Sequence, residues 1–557
     1  MDRRKRETLF TLAKSGAAAV MAAVPASQRA GAQVSTADGW VDPTQLGAIA
    51  DGASHPLSTR YTTLDQARSV YPFVTALDQE IDGCAIQAAL NASTKVRLPV
   101  GRFRISDALT VRSNTELQGA GAGTILTWTR QNSAERFAMF AAQYSSAIRL
   151  QGFSVVDASG SMGGYVFAGT RVVNVNLEQI SADRMAIAMF FASDGQTYES
   201  VSGDLSNAAF NVSSDVHVTG CTATNIANSA DPRAAVLFQY CVGWSVTDCK
   251  FSNAPYGVQW WGGDSSPNAD GALVNARKCA DGTVTNVQVS NCVAGVWGSM
   301  GTNVKIVGCH VDTASDVGID FEGCTNSSAS QNSVRNCTNG NFACFWWNDN
   351  VSFVGNTSHQ NRADYPHVRV YNDSQGTSNR SMTINGNTFV TDQAIGVIDT
   401  AYGGVQTLEF LNNQLTDTRV EFSDNTLRYV TVTDNQLTFT RAATDTMNAL
   451  EIGSIYDNGL GLAARNVIES KVTQPPDSAA LYLWSDDPNS DSQFQAVENR
   501  TAGFPVDLVT DNWSANPERT SYFTIQGNTF GSGVYKKEDH GAKISVTVLQ
   551  SNQGISN

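Results

Sequence analysis

The sequence predicts an all-β chain wound as a parallel β-helix. Three observations point there: a repeat of twenty-odd residues, short β-branched strands broken by Gly, Asn and Asp, and an amphipathic helix placed to cap a coil. The repeat is an apolar–x–(Gly/Asn/Asp)–(Cys/Asn) unit. It recurs as Val218–Cys221, Val246–Cys249, Val284–Asn286, Ile306–Cys309, Ala329–Asn332, Phe353–Asn356, Ile384–Asn387, Phe410–Asn413, Val432–Asn435 and Ile525–Asn528. From residue 286 to 356 the steps are 23, 23 and 24 residues, a period that signals a solenoid. A leucine-rich repeat needs a dense Leu frame, which is missing; β-branched strands between turn residues favour the β-helix. Stacked Asn residues then hydrogen-bond along a ladder.

The cap is read from Leu77–Ala92, where Ile81, Ala85, Ile86, Ala89 and Leu90 mark a helical face suited to covering an exposed end rung. Strands at Val96–Leu98, Gly101–Ile105 and Leu109–Val111 open the coil. Ten cysteines in an exported chain would ordinarily suggest disulfides. Cys221, Cys249 and Cys309 instead occupy positions where Asn stands in other coils, and are read as small buried fillers.

Apolar residues make up 41% of the 557 and charged ones 16%, the balance of a folded chain. A formal charge of −15 and a pI near 4.8 argue against nucleic acid or an anionic membrane as partner. No stretch after the first thirty residues reaches the roughly 18 apolar residues of a membrane span. Arg3–Arg6, the small apolar run Gly16–Val24 and Ala30-Gly31-Ala32 read as an export signal over 1–32, with the Arg3-Arg4 pair resembling a twin-arginine type. That implies a periplasmic or secreted protein. The organisation expected is a signal peptide at 1–32, an N-terminal segment and cap helix at 33–95, and a parallel β-helix at 96–470. The rhythm fades near Pro475-Pro476-Asp477 and Asp486–Asp491, so 471–557 is expected to be a C-terminal insertion or β-rich module.

Leu46–Gly52, Ala85–Leu90, Leu98–Phe103 and Ser113–Gly121 resemble the pectate-lyase-like right-handed β-helix superfamily. Gln259–Asp264 and Asp316–Gly323 are similar to segments of phage-tailspike-type polysaccharide depolymerases. The resemblance covers roughly residues 40 to 440 and implies the right-handed fold, a polysaccharide partner and a homotrimer. It does not choose among hydrolases, lyases and epimerases, which share the fold.

The repeat also serves as a ruler. Counting eleven and thirteen onward from 249, 286, 309, 332 and 356 collects most polar groups, while ten and twelve collect apolar ones. Strand side chains alternate faces, so Trp260, Trp297, Asp320, Glu322, His367 and Arg369 are expected on one solvent-facing wall. Asp320 and Glu322 are the expected catalytic carboxylates, with Asp316 in reserve. Their i, i+2 placement on a strand puts the Cα atoms about 6.5–7 Å apart, compatible with either glycosidase stereochemistry and slightly favouring inversion. Trp260 and Trp297 offer flat apolar faces to sugar rings, with Gln259, Asp264, His367 and Arg369 as further binding residues. Three functions remain open: an endo-glycosidase using that pair, a lyase using Arg369, His367 or Lys250 on a uronate, and a non-catalytic adhesin. No cofactor or metal is expected for the hydrolase; a lyase would need a divalent cation such as calcium. Asp231, Arg233 and Tyr240 are fallback positions.

Overall fold

The computed structural model describes residues 39–554, apart from 131–136, 161–163, 192–211, 227–233, 264–278, 372–378, 403, 424–425 and 541–542. The signal segment therefore lies outside the described residues, as do Asp231, Arg233 and Asp264. The chain forms two compact units, residues 1–263 with 278–293, and residues 264–277 with 294–557. The strands of each pair in parallel, and the fold is a right-handed parallel β-helix.

In the first unit the expected cap is the helix Ile81–Ala92. Ile81, Ala85, Ile86, Ala89 and Leu90 are all buried, as the apolar stripe requires. The buried Asp82 ties three segments together. Its Oδ1 accepts from the Ile49 and Ala50 amides at 2.6 and 3.1 Å, and its Oδ2 from the Arg104 amide at 3.0 Å.

The repeat unit has a direct physical cause. The residue before each ladder position stands in the left-handed region: Gly220 and Asp248 in the first unit, then Gly308, Gln331, Gly355, Gly386, Asn412, Asp434, Arg465, Glu498, Gly527 and Ser551 in the second. Gly pays no Cβ penalty there, and Asn and Asp tolerate the conformation better than other side chains. The next residue turns inward. In the second unit Asn332, Asn356, Asn387, Asn413, Asn435, Asn466, Asn499, Asn528 and Asn552 form one continuous amide ladder, each Nδ2 donating to the next Oδ1 at 2.9–3.0 Å. Cys309 stands one rung before it, its amide donating to Asn332 Oδ1 at 2.8 Å. All ten cysteines are buried and free, so the filler reading stands.

One ladder assignment is corrected. Asn286 has a φ of 52° and its amide donates to Asp248 Oδ1 at 2.6 Å, so it is a turn residue equivalent to Asp248. The ladder position is Val287. Beyond residue 470 the chain is β-rich, as expected, and its strands stack on the coil. Ala479–Ser485, Val506–Asn512 and Tyr535–Asp539 continue one parallel sheet, and the amide ladder runs on to Asn552. Pro475–Asp477 and Asp486–Asp491 are longer turns within that stack.

His367 is buried inside the second unit rather than on its wall. Its Nδ1 meets Ser358 Oγ at 2.7 Å, and its Nε2 meets Thr391 Oγ1 and Thr418 Oγ1 at 2.9 and 3.2 Å. Burial holds the imidazole neutral, with its pKa lowered from 6.5 to about 3. The stability consequence has a definite sign. Above pH 6.5 both folded and unfolded states are neutral and the full stability is present. Between pH 6.5 and about 3 only the unfolded chain takes up the proton, so stability falls by about 1.4 kcal/mol per pH unit from this residue. Urea midpoints measured across that range should fall more gently for His367→Gln than for the parent. Parallel slopes would refute this.

Candidate functional site

In the second unit the strands Ile319–Glu322, Phe342–Phe345, Val368–Tyr371, Gly396–Tyr402, Thr418–Ser423, Asn448–Gly453, Ala479–Ser485 and Val506–Asn512 make one wall. Its inner face is fixed by ring contacts to a second wall. Phe321 and Phe342 lie 6.0 and 5.2 Å from Phe353, and Phe422 lies 5.4 Å from Phe410. The alternate residues therefore face outward. Register places them in one row: Trp297, Asp320, Ala343, Arg369, Asp399, Glu421, Glu451, Tyr482, Val509 and Lys536.

Trp297, Asp320 and Glu322 thus share the outer face, with Glu322 in register with Ser299 and Phe345. They are not open to solvent. Asp320 and Glu322 are 0% and 1% exposed, and Trp297 is 8% exposed. Asp316 is also buried and accepts from Asn339 Nδ2 at 2.9 Å. A polymer in solution does not reach these carboxyls in this conformation. Arg369 is half-buried and begins the part of the row that is open.

Trp260 departs from the expectation more sharply. It is fully buried, pairs in register with Phe238 and stacks with Trp244 at 6.0 Å and 29°, inside the first unit. Gln259 takes the other face and is half-buried. Alternation held, but its phase did not, because the turn between ladder position and wall varies in length. Asp320 and Ala343 follow their ladder residues by eleven and Arg369 by thirteen, although all three are in register. His367 accordingly falls before the strand Val368–Tyr371 begins, and turns into the core. Of the fallback positions, Tyr240 is buried against Trp261 and Val212.

Farther along the same row is a group the sequence reading missed. Asp399, Glu421 and Glu451 are successive rungs, about 4.8 Å apart, and all three are half-buried. Burial raises the Glu421 pKa above the usual Glu value; Arg419 pulls it down, and the neighbouring Glu451 and Asp399 add to the rise. The Arg419 guanidinium stands 2.8 Å from Glu421, whose side chain retains 24% exposure. Glu451 is gripped at both oxygens. Trp484 Nε1 donates to Oε1 at 2.7 Å and Asn448 Nδ2 to Oε2 at 2.9 Å. Their ladder residues Asn387, Asn413 and Asn435 are legible in the sequence, but Asp399, Glu421 and Glu451 follow them by 12, 8 and 16 residues, so no fixed count finds them.

Next along the wall, Tyr482 donates its hydroxyl to the buried Asp511 at 2.9 Å. Burial pushes the Tyr482 phenol well above its ordinary pKa. Asp511 Oδ1 accepts from the Asn512 amide at 2.7 Å and meets His540 Nδ1 at 2.9 Å. Asp511, Glu538 and His540 are the one group among the described residues whose donor atoms cluster closely enough to hold a cation, within 4.8 Å of one another. Both Asp511 oxygens are already hydrogen-bonded, so the group is accounted for as a network that fixes the surrounding rings.

The fold and this outward row define a β-helix protein with acidic and aromatic side chains lined up along one wall. Among solved structures the chain is similar to pre-mature bacteriophage phi29 gene product 12, at TM-score 0.56 and 12% identity over 92% of this chain and 73% of that one. It is also similar to the tailspike protein gp49 from Pseudomonas phage LKA1, at TM-score 0.46 and 13% identity over 90% and 84%. The N-terminal fragment of phi29 gene product 12 matches at TM-score 0.46 and 13% identity over 90% and 93%. At these identities the likeness is one of fold. No family profile matches the sequence, and no curated protein does.

Proposed function

We propose that this chain is an exported glycoside hydrolase that cleaves a polysaccharide laid along the outward row, with Glu421 and Glu451 as its carboxylate pair. The observation that carries this reading is their contrast in environment on adjacent rungs. Glu421 has a raised pKa and Glu451 is oriented by two N–H donors. A raised pKa suits Glu421 to the acid role, and oxygens held in place by two donors suit Glu451 to attack.

Side chains on adjacent rungs lie about 4.8 Å apart, close to the roughly 5–5.5 Å of retaining enzymes. Protonated Glu421 gives its proton to the glycosidic oxygen as the C–O bond breaks, and Glu451 attacks the anomeric carbon to form a glycosyl ester. Water then displaces Glu451, delivering its proton to Glu421 and restoring both groups. The expected retention replaces the inversion that the Asp320 and Glu322 spacing favoured. The leader-like residues 1–32 are consistent with export.

The test is to incubate the full-length chain with a panel of bacterial exopolysaccharides and follow reducing ends together with ultraviolet absorbance. New reducing ends without an unsaturated chromophore are expected. The chromophore would mean β-elimination, and retention on a polymer with neither signal would mean an adhesin; either result overturns the reading.

A further inference from the structure

Beside the carboxylate pair lie three aromatic side chains whose polar atoms are all engaged by the protein. Tyr482 is in register with Glu451, one rung on. Trp484, two residues along the same strand, stacks with it at 6.5 Å and 28°. Trp513 donates its Nε1 to the Tyr482 hydroxyl at 3.2 Å, and its ring lies parallel to His540 at 3.9 Å and 4°. The Tyr482 hydroxyl is given to Asp511 and the Trp484 indole N–H to Glu451. Trp513 nonetheless keeps 49% of its surface exposed beside the half-buried Tyr482 and Trp484, and a contiguous apolar patch rimmed by polar groups marks a binding surface. What these rings present outward is apolar ring surface rather than hydrogen-bonding atoms.

The charges around them narrow the occupant. Asp399, Glu421, Glu451, Asp511 and Glu538 bring carboxyl groups to this wall. Of its basic groups, Arg419 is paired with Glu421 at 2.8 Å, Lys536 with Asp477 at 2.5 Å and His540 with Asp511 at 2.9 Å, while Arg369 stands farther back along the row, beside Asp399. A uronate would meet like charge here; an uncharged pyranose would lay its C–H face on the indole.

We propose that Tyr482, Trp484 and Trp513 form a stacking subsite for an uncharged pyranosyl unit of the substrate, with Trp513 as the accessible platform. This rests on the carboxylate pair being the reaction centre, and deepens it by naming the substrate class. The rings are held before any ligand arrives, so little ordering cost falls on binding.

Affinity electrophoresis of the full-length chain through gels containing dextran, a neutral β-glucan or polygalacturonate tests the subsite without requiring turnover. At least one neutral polymer is expected to retard the chain, polygalacturonate is not, and Trp513→Ala is expected to weaken the retardation roughly 10-fold while Trp513→Phe restores most of it. On whichever polymer is cleaved, Trp513→Ala should raise KM by a similar factor with a much smaller change in kcat, the signature of lost ground-state binding. Stronger retardation by polygalacturonate, no retardation by any neutral polymer, or an unchanged response in Trp513→Ala each overturns the subsite. Cleavage that survives in Glu421 and Glu451 variants would instead overturn the reaction centre, so the two failures are separable.

Discussion

Glu451→Gln and Glu421→Gln should each lower kcat by roughly 10²–10⁴-fold, the range over which a positioned acid or base acts, with the fold intact. Glutamine at 451 keeps the shape and one oxygen, enough for the Trp484 or the Asn448 donor but not for both, and it cannot form the glycosyl ester. Glutamine at 421 removes the proton needed by the leaving oxygen. The pH profile supplies a second readout. Burial raises the Glu421 pKa, with Arg419 opposing and Glu451 and Asp399 assisting. The basic limb of kcat/KM should therefore lie above the ordinary Glu range. Asp399→Asn removes a negative neighbour, so Glu421 should release its proton more readily and the limb should move to lower pH. Arg419→Met should move it the other way. Asp320→Asn and Glu322→Gln, whose carboxyls are 0% and 1% exposed, should retain cleavage. Full activity in both Glu421 and Glu451 variants, or loss only in the Asp320 and Glu322 pair, would return the site to the position the repeat ruler chose.

Asn413→Ala should destabilise the chain by about 4 kcal/mol. Asn413 Oδ1 accepts the Asn387 amide at 2.9 Å and the Asn387 Nδ2 at 3.0 Å, while its Nδ2 donates to the Ile384 carbonyl and Asn435 Oδ1, each at 3.0 Å. Alanine leaves several of these groups buried without partners, at about 1–3 kcal/mol each. It also interrupts a ladder in which neighbouring amides polarise one another. Equilibrium unfolding in denaturant measures the loss where unfolding is reversible, and the unfolding rate where it is not. A change below about 1 kcal/mol in a correctly folded variant would mean that the ladder orders the turn without bearing on stability.

The coil lining is encoded by local signals and the outer wall by non-local ones. The repeat unit joins a left-handed corner to an inward Asn or Cys within two residues, so Asn332, Asn356, Asn387, Asn413, Asn435 and Asn528 were all legible. The cap helix was legible for the same reason: its stripe at Ile81, Ala85, Ile86, Ala89 and Leu90 is a single-segment pattern. The wall was reached by counting across turns, and turns vary. An unchanged count of eleven placed Asp320 on the outer face, whereas Trp297 reaches it ten residues after its ladder position, Val287. An inserted pair of residues before Val368 turned His367 inward, and a one-residue phase difference put Trp260 against Trp244.

Burial was harder still to foresee. Asp320 and Glu322 occupy the face that alternation assigns them, yet both are covered. Alternation reports the direction of a side chain from its strand and not what lies over it.

The amino-acid order alone settled the architecture and the lining of the coil, because a corner, an alternating strand and a capping helix are each written in neighbouring residues. Only the tertiary structure decided which carboxyls meet. Glu421 and Glu451 lie a full coil apart along the chain and become adjacent through strand register, and register accumulates every turn length between them.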